Sequence, residues 1–216
     1  LFSYRQALTL STIARLLREL GNSPHSLEEG ILATLCMSLG RQADNLTSLV
    51  TWTPGGEFQG HTFTRQALGM IMDFAEVNPW SGGSGDWSGA VDWVARVCDE
   101  IASAALSTGH VQQASATQHP LPDDSVASVI TDPPYYNAVP YADLAQFFYV
   151  WLRRSVTGGL SDLFRERETP KDQEICEMAG WDPARYPQKN GKWFELQMTA
   201  AMSEARRVQR PDGISV

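Results

Sequence analysis

The stretch that decides the fold is Val126-Ala-Ser-Val-Ile-Thr-Asp-Pro-Pro-Tyr-Tyr136. Its apolar, β-branched first half, residues 126–131, is typical of a β-strand. The strand is predicted to end at Asp132, because Pro133 and Pro134 have no backbone N–H to donate to a neighbouring strand and cannot continue a helix. The sequence therefore predicts a strand that delivers a carboxylate to its carboxyl end, followed by a stiff loop.

The loop after this strand has groups that suit a planar heterocycle bearing an amino group. The Asp132 carboxylate and the carbonyl of Pro133 or Pro134 can together accept both hydrogens of an exocyclic NH2. The ring of Tyr135 can stack on the face of the base, an interaction worth about 1–3 kcal/mol per base. Binding of an amino-substituted base is therefore the chemistry that this loop favours.

The motif Asp132-Pro133-Pro134-Tyr135 resembles the catalytic D-P-P-Y signature of amino-group methyltransferases that use S-adenosylmethionine, above all those acting on adenine N6 in DNA. The longer run from Thr131 to Arg154 is similar to a narrower group, the large adenine-specific DNA methylases whose fuller chains also carry a zinc ribbon. This resemblance implies that the four motif residues are catalytic, that S-adenosylmethionine is the cofactor and that DNA is the partner. A target base in duplex DNA would first have to be flipped out of the helix.

The resemblance also implies where the cofactor is contacted. In many such methyltransferases a short polar residue after the penultimate strand contacts the adenine of S-adenosylmethionine, commonly Asp within Gly-Asp-Ala. Here a predicted strand and its exit, residues 111–116, end in Ala-Ser-Ala, so Ser115 is the candidate at that place and Asp132 is the second cofactor-binding residue. A simple cap at the end of the strand is the alternative role for Ser115.

The cofactor motif of the family, an F-x-G-x-G loop after the first strand, does not occur in this sequence. In the similar proteins that loop precedes the D-P-P-Y motif. We therefore expect the cofactor-binding segment to lie upstream of Leu1 and this chain to be a fragment that is inactive alone. We also expect the chain by itself to bind S-adenosylmethionine weakly or not at all.

Four further residues are candidate contacts to nucleic acid: Tyr136, Asn137, Arg153 and Arg154. Tyr136 is the second choice for stacking on the base. The two arginines end an amphipathic helix, where cations also complement the helix dipole, so a structural role is the alternative to phosphate contact. The formal net charge of -8 means that any surface that binds DNA has to be locally basic.

Composition is that of a globular domain, with 43% apolar and 19% charged residues among 216. No apolar run approaches the ~20 residues of a membrane span, and no signal peptide is recognised, so we expect a soluble, cytoplasmic protein without a membrane partner. Cys36, Cys98 and Cys176 are too far apart for a C-x-x-C pair, which predicts buried or half-buried free thiols and no metal site.

Periodicity and breakers predict an α/β fold, an incomplete Rossmann-like methyltransferase sheet with a mostly helical N-terminal segment. Residues 1–109 are interpreted as a helical insertion and residues 110–216 as the C-terminal part of the catalytic domain. Helices are predicted at 4–20, 26–43, 62–76, 87–107, from 141 onward, at 173–178 and at 194–208. Strands are predicted at 49–52, 111–116, 126–131 and 214–216.

Two other functions remain open on the sequence. One is an RNA or other amino-group methyltransferase, although enzymes that methylate RNA or protein amides more often have Asn in place of Asp132. The other is a non-catalytic nucleic-acid-binding remnant of the fold. A predicted loop-rich insertion at 157–192 could contact substrate in either case.

Overall fold

A computed structural model of the chain describes residues 1–104 and 107–216. It combines helices with a few short strands, in agreement with a mixed α/β composition. Its elements in chain order are α1 (Tyr4–Gly21), α2 (Glu29–Asn45), β1 (Trp52–Thr53), β2 (Phe58–Gln59), α3 (Trp87–Ser103), β3 (Val126–Val129), α4 (Tyr141–Ser155), a 3-10 helix (Gly159–Phe164), α5 (Gly191–Val208) and β4 (Gln209–Ser215).

Contacts within the chain divide it into two compact units. The helical unit comprises Leu1–Ser107 and Asp143–Thr169, and the strand unit comprises Thr108–Ala142 and Pro170–Val216. This division differs from the expected one at 109/110, because most of α4 and the 3-10 helix group with the first helices. No helix in the described ranges is both long enough and apolar enough to cross a membrane.

The core of the helical unit lies between α1, α2 and α4. Helix α1 begins with a capping box between Ser3 and Gln6 and places its apolar stripe against that of α2. Helix α4 adds Trp151, which is 7% exposed and packs edge-on against Phe2 with ring centroids 5.6 Å apart. The predicted amphipathic helices at 4–20, 26–43 and from 141 onward are thus confirmed.

The start of α2 differs from that of the helix predicted at 26–43. The helix begins after Glu28, and no side chain caps it. The Glu29 carboxylate accepts from the backbone N–H of Leu160 at 2.6 Å, a contact distant in sequence.

The predicted helix at 62–76 is also wrong, since the chain is irregular between β2 and α3. Hydrogen bonds tie both ends of this segment to the chain around α2: the N–H of Thr62 donates to the Asp44 carbonyl (3.0 Å), and that of Ala75 to the Val50 carbonyl (2.8 Å). Met70, an apolar residue of the predicted helix, is 90% exposed. Only part of the apolar spacing is used in packing, since the Phe63 ring lies against those of Phe147 and Phe148, with centroids 5.1 and 5.4 Å apart. The predicted strand at 49–52 is displaced to β1.

Helix α3 confirms the predicted helix that starts at residue 87, and Asp86 caps it by accepting from the N–H of Gly89 at 2.7 Å. Residues 105 and 106 of that prediction lie outside the described residues. Cys98 on this helix is exposed, which corrects the expectation that all three free thiols are at least half-buried; Cys36 and Cys176 are buried.

In the strand unit β3 and β4 form a parallel pair, with Val126 opposite Gln209 and Val129 opposite Ser215. The pairing continues into the loop, because the Thr131 N–H donates to the Val216 carbonyl at 2.9 Å. The strands predicted at 126–131 and 214–216 are confirmed. The strand predicted at 111–116 is wrong, since these residues have no strand partner and Ser115 makes only an isolated bridge with Gln118.

Helix α5 confirms the predicted helix at 194–208 and begins three residues earlier, where the Asn190 side chain accepts from the N–H of Trp193 at 3.1 Å. The predicted helix at 173–178 is wrong. The N–H groups of Gln173 and Glu174 form a single turn by donating to the Pro170 carbonyl, at 3.0 and 3.1 Å. That of Met178 donates instead to the distant Lys189 carbonyl at 2.9 Å, so no helix continues through the stretch.

Candidate functional site

The D-P-P-Y loop leaves β3 at the carboxyl end of the strand and borders a cavity of about 520 Å³. Asp132, Pro133 and Pro134 lie in the cavity wall together with His119. The opposite wall is the apolar face of α5, formed by Met198, Ala201, Met202, Ala205 and Val208. The cavity is therefore mostly apolar, with one carboxylate at its edge.

Asp132 is exposed, and no donor among the described residues contacts its carboxylate. The two proline carbonyls differ: that of Pro134 accepts from the N–H of Tyr136 at 3.1 Å, whereas no described residue donates to that of Pro133. An incoming amino group would therefore find Asp132 and Pro133 as the acceptors with unused capacity.

The two tyrosines of the motif have different environments. Tyr136 has a left-handed backbone conformation (φ 42°), and its ring packs edge-on against Phe194 with centroids 4.6 Å apart. Its hydroxyl lies against Gly191, where an added Cβ would collide with it. Tyr135 is 62% exposed. Tyr136, although 43% exposed, is thus partly engaged in internal packing, and Tyr135 is the more exposed of the two rings.

A segment at 174–177 supports the loop through hydrogen bonds. The Tyr136 carbonyl accepts both from the N–H of Glu177 (2.9 Å) and from the thiol of Cys176 (3.1 Å). Burial, reinforced by the charge of Glu174, raises the pKa of the Cys176 thiol, so it remains a protonated donor at neutral pH. The Glu174 carboxylate accepts from the N–H of Ala142 at 3.0 Å. No sequence pattern indicated this support.

Arg207 fixes the chain that enters β3. Its guanidinium donates to the carbonyls of His119 (2.9 Å) and Leu121 (3.0 Å), to the Asp123 carboxylate (2.6 Å) and to the Glu204 carboxylate (2.9 Å). The sequence placed this arginine at a helix end without assigning it a partner. Its five-donor geometry instead joins α5 to the turn that precedes β3.

Acid should weaken this junction. Arg207, and then the backbone N–H of His119, lower the pKa of Glu204 from 4.5 to about 2. Because the folded-state pKa is depressed, the stabilisation is present above about pH 4.5 and is lost as the pH falls towards about 2.

We expect Glu204→Gln to be less stable than the wild type at neutral pH and to lose less stability between about pH 4.5 and 2, as measured by urea unfolding at several pH values. The exposed Glu195→Gln on the same helix is the control, and an identical pH profile for Glu204→Gln and the wild type would contradict the assignment.

Ser115 lies in an exposed turn. Its hydroxyl is 2.9 Å from that of Thr117 and accepts the Thr117 N–H at 3.2 Å, while its carbonyl accepts the Gln118 N–H at 3.1 Å. The neighbouring Ala116 contributes to the cavity wall, whereas Ser115 does not. These contacts are those of a local turn that does not end a strand, and cofactor binding by Ser115 stays a prediction.

The remaining predicted contacts lie in different places. Asn137 is in the strand unit, where its backbone carbonyl accepts from the indole N–H of Trp181 at 3.0 Å and its side chain is exposed. Arg153 and Arg154 are in the helical unit and line a separate cavity of about 690 Å³. The D-P-P-Y loop thus shares its unit with Asn137 but not with the two arginines.

The residues around the D-P-P-Y cavity do not fit a complete S-adenosylmethionine molecule. The carboxylate of the cofactor needs cationic or N–H donors, yet the wall contains neither lysine nor arginine. Asp132 is the only carboxylate of the wall. The described lining therefore offers no lysine or arginine side chain to such a carboxylate.

Comparison of the chain with protein-family models, with curated proteins and with solved structures returned no match.

Proposed function

We propose that this chain carries the catalytic loop of an S-adenosylmethionine-dependent methyltransferase that acts on adenine N6 in DNA. The observation that carries the proposal is the Asp132 carboxylate, exposed and without a donor from the described residues, at the carboxyl end of β3 beside an apolar cavity. Carboxyl ends of parallel strands are where open α/β sheets bind ligands. The parallel pairing of β3 with β4 supports a Rossmann-like sheet, because parallel strands require a crossover connection between them.

Asp132 would act by holding the amino group of the base. It accepts one hydrogen of the NH2 and the Pro133 carbonyl accepts the other, which favours the pyramidal nitrogen whose lone pair has left the ring system. The carboxylate also stabilises the positive charge that develops on nitrogen. Bound S-adenosylmethionine supplies the methyl group, and because positioning accounts for much of the rate, the chain needs no nucleophile of its own.

Tyr135 would hold the flipped base by stacking on its face, which contributes about 1–3 kcal/mol. Its high exposure leaves the ring available, and the stiff prolines before it limit the entropy lost on binding. Tyr136, packed on Phe194, would instead keep the loop in shape.

The test is methyl transfer by the full-length natural protein, with labelled cofactor and either duplex DNA or RNA of the same sequence. We expect the label as N6-methyladenine in DNA. Label in RNA alone would favour the RNA enzyme, and transfer to neither substrate would favour a non-catalytic remnant. In parallel, calorimetric titration of residues 1–216 should show little binding of S-adenosylmethionine; micromolar affinity would contradict the view that its site is incomplete here.

A further inference from the structure

Arginines of the helical unit gather around one cavity. The cavity, of about 690 Å³, is formed by α1, α4 and the 3-10 helix, and it is lined by Arg15, Arg18, Arg153, Arg154 and Arg165. These are five of the ten arginines of that unit, which has no lysine. In a chain with a net charge of -8, so many cations on one surface make it locally basic.

Three of the five arginines are not neutralised by neighbouring acids. Arg15 pairs with Glu19 and Arg165 with Asp162, each at 2.7 Å. In contrast, Arg18, Arg153 and Arg154 are exposed, and none has a carboxylate within ion-pair distance among the described residues.

Helix dipoles account for only part of this charge. Arg18 lies in the last turn of α1, and Arg153 and Arg154 in the last turn of α4. Each helix carboxyl end is equivalent to about half a negative charge, so the two ends offset about one of the three positive charges. Arg18 also reaches the Arg154 carbonyl at 3.5 Å, and Arg154 donates to the Val150 carbonyl at 2.7 Å, but carbonyl groups do not neutralise a cation. An excess of about two positive charges remains for an external anion.

We propose that this cavity, the arginine cavity, binds backbone phosphates of duplex DNA. Guanidinium groups bind phosphate oxygens through paired N–H donors, and arginine stays charged at any physiological pH. Exposure of the three unpaired side chains suits a polyanion that approaches from solvent. The choice of DNA over other polyanions rests on the proposed function. The binding of phosphate groups by the arginine cavity does not depend on that function.

The experiment compares two triple variants of the full-length natural protein that change the net charge equally. The cavity variant carries Arg18→Gln, Arg153→Gln and Arg154→Gln. The control variant carries Arg65→Gln, Arg96→Gln and Arg167→Gln, which are exposed arginines of the same unit outside the cavity lining. Binding of a fluorescent duplex is measured over a series of salt concentrations, and thermal unfolding checks that each variant is folded.

We expect the plot of log binding constant against log salt concentration to become shallower by about 2–3 for the cavity variant, and to keep its slope in the control. Equal losses in both variants would mean that general charge, not this cavity, binds DNA, and would overturn the proposal. Absence of duplex binding by the wild type would overturn it too, as would tighter binding of a polyglutamate peptide of equal charge, which would indicate an acidic protein partner.

Failure of this proposal can be separated from failure of the proposed function. Binding is measured without methyl transfer, so its outcome does not depend on catalysis. Cavity-dependent binding without any methylation would leave the arginine cavity in place and remove the enzyme assignment. If the cavity variant methylates DNA and binds it as the wild type does, the enzyme assignment stands and the proposal for the arginine cavity is overturned.

Discussion

Replacement of Asp132 by alanine is expected to lower the rate of adenine methylation by about 100-fold or more, the cost typical of removing a group that stabilises transition-state charge. The side chain has no donor among the described residues, so its loss removes an interaction with the substrate and leaves the packing of the strand unit intact. The measurement is the initial rate of methyl transfer in the full-length natural protein at saturating DNA and cofactor.

The matched control for this variant is Asp172→Ala. Asp172 is an exposed aspartate of the same unit that does not line the cavity, and its replacement should leave the rate unchanged. Methylation by Asp132→Ala at the wild-type rate would contradict the catalytic assignment. An equal loss of rate in both variants would mean that the change in net charge or in protein stability, and not the loss of a catalytic group, lowers the rate.

Replacement of Lys189 by alanine is expected to lower the free energy of unfolding of the strand unit by about 2–5 kcal/mol, as for other large-to-small changes in a core. Lys189 is fully buried. Its ammonium donates to the Lys171 carbonyl at 2.6 Å and lies 5.4 and 5.1 Å from the ring centroids of Tyr186 and Trp193. Removal of the side chain leaves a void beside two aromatic rings and leaves that carbonyl without this donor.

The free energies of unfolding of Lys189→Ala and Lys192→Ala are compared by denaturant unfolding. Lys192 lies three residues further on, is exposed, and should tolerate the same change. Because the backbone carbonyl of Lys189 also holds the stretch that supports Tyr136, methylation should fall in the first variant only. Equal stability of the two variants would show that the buried lysine does not organise this region.

Local signals predicted the parts of the fold that depend on neighbouring residues. Helices α1, α4 and α5 followed from apolar spacing, and β3 followed from a β-branched run stopped by two prolines. The same signal failed at 62–76, where backbone hydrogen bonds tie both ends of an irregular segment to other parts of the chain and Met70 is left exposed. Apolar periodicity predicts which face of a segment could be buried. It does not predict whether another part of the chain packs against that face.

The site divides in the same way. The sequence by itself determined that Asp132 stands at the end of a strand before a stiff loop, because β-branching and proline act on the adjacent backbone. Only the tertiary structure decided that Tyr136 packs on Phe194 and leaves Tyr135 free, and that Arg18 meets Arg153 and Arg154 at one cavity. These contacts join residues far apart in the chain, and their packing and hydrogen bonds leave no periodic trace in the sequence.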